Sequence, residues 1–95
     1  MLIYKAAYKF VEGGVHAHVV DFPGVITCAQ DLTEARRLLA LALVDLADYM
    51  LEQGEPLPKP DPSASDPDAD VEEPIYLQLR VSTGLDLVPS GIIVP

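Results

Sequence analysis

Residues 55–74, EPLPKPDPSASDPDADVEEP, divide the chain into parts that can fold regularly and a part that cannot. The segment holds six of the nine prolines, seven acids and one base. Each proline removes a backbone donor and fixes φ, so neither a helix nor an inner strand tolerates this spacing. The composition predicts an extended or disordered acidic connector, with nothing to hold its acids rigid. Regular structure is then confined to residues 1–54 and 75–81, inside one domain spanning 1–81 with a modest core.

Residues 2–12 alternate as a strand, with Leu2, Tyr4, Ala6, Tyr8 and Phe10 on one face and Ile3, Lys5, Ala7, Lys9 and Val11 on the other. Gly13-Gly14 supplies the positive φ of a two-residue hairpin loop, and residues 15–22 return as a second strand. That loop pairs Glu12 with Val15, Phe10 with Ala17 and Tyr8 with Val19. The mixed face then sets Val11 against His16, Lys9 against His18 and Lys5 against Phe22.

Pro23 ends the second strand and Gly24 permits a corner, so Val25-Ile26-Thr27-Cys28 reads as a short third strand of a meander. A helix follows to about Gln53, where Gly54 and Pro56 stop it. Two N-caps satisfy the spacing: Asp31, with Glu34 at capping-box distance, and Thr33. Ala35, Leu39, Ala42, Leu43, Leu46 and Met50 form the stripe for the sheet. A second stripe, Ala40, Val44, Ala47 and Leu51, is a candidate subunit contact, its plainer reading being a few exposed apolar residues. The third face carries Asp45, Asp48 and Glu52. It is either a solvated face or a surface for a cationic partner.

Ile75, Leu77, Leu79 and Val81 alternate with polar neighbours as a fourth strand over residues 75–81. Residues 82–95 form an extended Pro/Gly-rich tail whose Ile92, Ile93 and Val94 are candidate oligomer contacts. The order β-β-β-α-β predicts an α+β domain: a three-stranded antiparallel meander, one helix on the sheet, the acidic connector and a last strand.

The net charge of −9 disfavours nucleic acid and favours a basic partner; solubility alone would also account for it. One cysteine, Cys28, fits a reducing compartment, and neither a signal peptide nor an apolar run of membrane-spanning length is present, so a cytoplasmic protein is expected. His16 and His18 project to one face, and Asp21 or Cys28 could add a third metal ligand, but an exposed or interfacial histidine pair is the simpler reading. Cys28 as a nucleophile is weaker still, because nothing fixes a base beside it. No phosphate loop, nucleophile motif or converging carboxylates appear, so no enzyme, cofactor or metal is expected.

Taken in order, Tyr4 in an opening strand, the Gly13-Gly14 hairpin, Asp21-Phe22-Pro23-Gly24, Thr33-Glu34-Ala35 opening an Ala/Leu-rich helix, Gly54 and Pro58-x-Pro60 resemble the HicB-like antitoxin family. The resemblance covers about residues 4–60, with the strand at 75–81 as the last of a partial ribonuclease H-like fold. It implies a non-catalytic protein that neutralises a small basic, messenger-RNA-cleaving toxin of the HicA type and forms a homo-oligomer, dimer or tetramer. Toxin contacts are then expected at Asp45, Asp48 and Glu52, and at the connector acids Asp66, Asp68, Asp70, Glu72 and Glu73. The chain departs from the family at Ala29-Gln30-Asp31, where a glycine is usual. Residues 82–95 are also too short for the DNA-binding domain that many members carry, so direct DNA binding is not expected. The alternative is an orphan oligomeric binding or scaffold module with neither toxin nor DNA-binding role.

Overall fold

In the structure, a computed structural model that describes residues 1–79, β1 (Leu2–Val11) turns into β2 (Gly14–Val19) at Gly13, whose φ is +85°. The loop is Glu12-Gly13 and not Gly13-Gly14, so Phe10 pairs with Val15, Tyr8 with Ala17, and Lys9, not Val11, with His16. Alternation could not distinguish the two registers: a two-residue slip leaves every side chain on its face. What decides is Gly14. A Cβ there would sit 2.4 Å from the carbonyl oxygen of Ala29, so this glycine is needed for the passage of the next strand.

β2 ends at Val19, three residues earlier than expected. Residues 19–25 close on themselves, with Phe22 N–H donating to Val19, Val25 N–H to Phe22 and Val19 N–H to Val25. Strand parity lapses in this corner. Phe22, expected opposite Lys5 on the mixed face, turns into the core and meets Tyr4 edge-on at 5.1 Å. β3 (Ile26–Ala29) follows and pairs antiparallel with β2.

The helix α1 (Leu32–Glu52) takes the Asp31 cap, whose carboxylate accepts from the Glu34 N–H at 2.8 Å. At its end Gly54, at φ +74°, donates to Leu51 and Glu55 donates to Met50, closing a Schellman motif. The helix buries Ala35, Leu39, Leu43 and Ala47, with Ala42, Val44, Leu46 and Met50 flanking them. Ala47 was expected on the outer stripe. It follows Leu43 by four residues, so it continues the core row and offers no surface to a partner.

The connector is the larger departure. Residues 55–70 carry no helix or strand, yet they are tied down along their length. The Tyr4 hydroxyl donates to Pro58 at 2.7 Å, Asp61 N–H to Asp21 at 2.9 Å, and Asp70 N–H to Tyr8 at 2.8 Å. β4 spans Val71–Leu77, starting four residues earlier than expected, and pairs antiparallel with β1 from Tyr8–Val71 to Leu2–Leu77. It ends at the Leu2–Leu77 pair, the last of the β1–β4 ladder. Ile75 and Leu77 are buried as expected, but Leu79 lies past the ladder and is partly exposed. Val81 and the tail, with Ile92, Ile93 and Val94, lie outside the described residues.

Pro74 inside β4 costs no ladder bond. Its partner Lys5 directs both its N–H (to Asp21) and its C=O (from Val20 N–H) toward β2, so the proline nitrogen faces the open edge. The sheet order is β3-β2-β1-β4, with the helix on one face.

Candidate interaction surfaces

The acids expected to meet a partner divide into two groups. Asp45, Asp48 and Glu52 are exposed on the convex side of α1 with no ion pair among the described residues, following the half-exposed Leu41 along the helix. The connector acids are instead mostly engaged within the chain. Asp70 accepts from Phe10 N–H at 2.8 Å. Glu72 accepts from Asp66 N–H and lies 3.9 Å from the Lys5 ammonium. Asp66 lies 3.5 Å from His18 Nε2, Glu73 is bound by Arg36, and Asp68 gives its carbonyl to Lys9 Nζ at 3.0 Å.

These contacts lay the connector across the sheet face opposite the helix. Ala7, in the middle strand, has His18 and Glu72 as its cross-strand neighbours on that face. Both reach Asp66, and Glu72 also accepts from the Ser65 hydroxyl. Residues 65–66 thus bridge β2 and β4 over Ala7, which is only 1% exposed although the helix lies on the other side. The sheet is covered twice, by an apolar helix and by an acidic strap.

Glu73 joins the layers. Arg36 on α1 grips it with two bonds of 2.9 Å, and the charge of Glu73 acts on the buried Tyr8 hydroxyl. The Arg36 hydrogen bonds hold its carboxyl below the usual range against the opposing effect of burial. A folded-state pKa below the unfolded one gives stability that is complete above the unfolded value and lost as pH falls through the folded one. Glu73→Gln is therefore expected to flatten the loss of stability as pH falls below the ordinary glutamate range, read from urea midpoints; an unchanged acid limb would exclude Glu73 as its source. Tyr8 has the opposite sign. Burial, then the charge and hydrogen bond of Glu73, push it from 10.0 to about 12, so its contribution is complete below pH 10.0 and lost toward 12.

His16 stands opposite Cys28, and His18 opposite Ile26, on the strap side of the sheet. His18 is turned to Asp66, and Asp21 is occupied by the Lys5 and Asp61 amides. Among the described residues no three histidine, cysteine or acidic side chains are placed to hold a metal ion, and no helix is long and apolar enough to cross a membrane.

A cleft of about 390 Å³ opens where the strap leaves the sheet bare, lined by Ile3, Lys5, Asp21, Asp61, Pro62, Glu72 and Pro74 among others. Beside it the cross-strand pair Ile3 and Tyr76 is 52% and 58% exposed. Sequence reasoning missed this surface. The signal was present, since Ile3 and Tyr76 occupy solvent-side positions of alternating strands, but the Ile3–Tyr76 pairing depends on where β4 starts.

No protein-family model matches the chain, and no curated protein matches it by sequence. Solved structures do. The N-terminal domain of the Burkholderia pseudomallei antitoxin HicB aligns with a TM-score of 0.64 at 19% identity, covering 82% of this chain and 100% of that one. The longer HicB structure from the same organism aligns with a TM-score of 0.68 at 22% identity, covering 100% of this chain and 75% of that one. The fold expected from the resemblance, α+β and HicB-like, is the fold observed.

Proposed function

We propose that the chain is a HicB-like antitoxin core that binds and masks a small basic, messenger-RNA-cleaving toxin of the HicA type and catalyses nothing itself. The match to the whole HicB N-terminal domain carries this reading. The charge agrees with it: Asp45, Asp48 and Glu52 stay free of intramolecular partners among the described residues, as an acidic surface for a basic protein requires. The connector acids act differently, holding the strap, with Asp68 the one of the five whose carboxylate makes neither a hydrogen bond nor an ion pair among the described residues. The setting is the cytoplasm, and promoter binding is no part of the reading.

Co-purification of the tagged chain from its native host, with mass spectrometry of what elutes, tests this. A stoichiometric basic protein of under about 100 residues is expected. Its association should slow by about tenfold between low and physiological salt, because charge complementarity acts mainly on encounter. Recovery of self-oligomers alone would favour the second reading, an orphan oligomeric module. That reading has its own observation: Ala40 and Leu51 are exposed on one side of α1, with Val44 half-buried between them.

A further inference from the structure

We infer that the cleft between the strap and β4 is the docking site for the basic partner, taking one of its arginine or lysine side chains next to an apolar one. The inference rests on the toxin-binding reading and adds where binding energy is gained.

Three observations place it there. The first is shape. A binding anchor needs a pocket that excludes water, and the acidic helix face is convex, whereas the cleft is concave and of side-chain to small-ligand size. The second is its chemistry. Ile3, Pro62 and Pro74 offer an apolar path for an alkyl stem, and Asp21, Asp61, Glu72 and Glu73 stand against Lys5 as the one cation among its lining residues. Glu73 is already neutralised by Arg36 and both Asp21 oxygens accept backbone amides, but Asp61 and Glu72 keep capacity. Asp61 uses Oδ1 for Ser63 and leaves Oδ2 free among the described residues, and Glu72 Oε1 has only the loose 3.9 Å approach of Lys5. An incoming guanidinium or ammonium replaces that approach. The third is continuity. The strap covers the sheet over Ala7 and stops short of the Ile3–Tyr76 row, leaving two large apolar side chains exposed beside an acidic rim. An apolar centre with a charged rim is the composition of a binding patch and not of a solvated face.

The two acidic surfaces then have separable roles. Asp45, Asp48 and Glu52 steer the encounter, and the cleft holds the bound partner.

The test is an NMR titration of the full chain with a short peptide of alternating arginine and leucine. Two control peptides replace either every arginine by glutamine or every leucine by glycine. Expected are amide shifts centred on Ile3, Asp61 and Tyr76 with the first peptide. Both controls should bind more weakly, and Ile3→Lys/Tyr76→Lys should weaken binding by about tenfold or more, as for loss of an anchor. Both residues are exposed, so the change leaves the core intact; Tyr76→Lys alone serves if the β1–β4 pairing is disturbed. Shifts centred on residues 45–52, shifts spread over all acids, or unchanged binding by the variant would each overturn the docking inference. None of these touches the toxin reading, which stands or falls on whether a basic protein is held stoichiometrically.

Discussion

Phe22→Ala is expected to lower folding stability by about 3–5 kcal/mol, the range for emptying a fully buried aromatic site. Against the roughly 5–15 kcal/mol that holds a domain of this kind together, that is enough to unfold a large fraction at growth temperature. Phe22 is fully buried, yet it lies on a turn between strands and not on a strand. Its ring meets Tyr4 edge-on, and the Tyr4 hydroxyl in turn holds Pro58 at the start of the connector. Truncation therefore leaves a cavity beside the residue that anchors the strap. Urea unfolding of the variant checks the magnitude. A loss below about 1 kcal/mol would mean that the corner collapses into the space and that Phe22 is not a support of the fold.

Gly14→Ala should be the next most damaging small change, at about 1–3 kcal/mol. Alanine is normally tolerated at the start of a strand. Here its Cβ would stand 2.4 Å from a backbone oxygen, Ala29 C=O, which cannot move aside as a side chain end could. Either β3 shifts outward or the Val15–Ala29 pairing opens. Hydrogen exchange of the β2–β3 amides reports this directly: faster exchange there, with the β1–β4 amides less affected, is the expected pattern. Gly13→Ala is a useful comparison, because Gly13 has open space around it and only its positive φ to lose. Equal behaviour of the two variants would remove the close-approach argument.

Local chemistry made much of this fold legible. The Pro23-Gly24 corner and the Gly54 stop are each written in a few adjacent residues and occur where those residues stand, the hairpin forms one position from where it was expected, and of the two N-caps the sequence offered, Asp31 and Thr33, Asp31 is used. Ala47 was a local error, since its place four residues after Leu43 already sets it in the core row, but the other errors trace to partners outside the element concerned. The hairpin register turned on Ala29 passing over Gly14, fifteen positions away. The start of β4 turned on Tyr8 being free to pair with Val71, and Pro74 hid that strand because a proline is harmless only where its neighbour looks the other way. The same holds for the candidate surfaces. The helix acids were visible because a helical wheel needs only the helix. Which connector acids were already engaged depended on Lys5, Lys9, His18 and Arg36 arriving from other elements.

The route of the strap has a consequence for the time before folding is complete. β1 obtains its second neighbour only when β4 arrives, after the helix and the whole connector have followed it along the chain. Until then the backbone groups of Tyr4, Ala6 and Tyr8 on that side of β1 are an open strand edge flanked by large apolar side chains, which is the kind of edge that recruits other chains into aggregates. Residues 55–69, which emerge in that interval, are rich in proline and acid, a composition that disfavours strand pairing with such an edge. The same residues that give neighbouring chains little to pair with at that stage lie over the sheet as its second cover once β4 has docked.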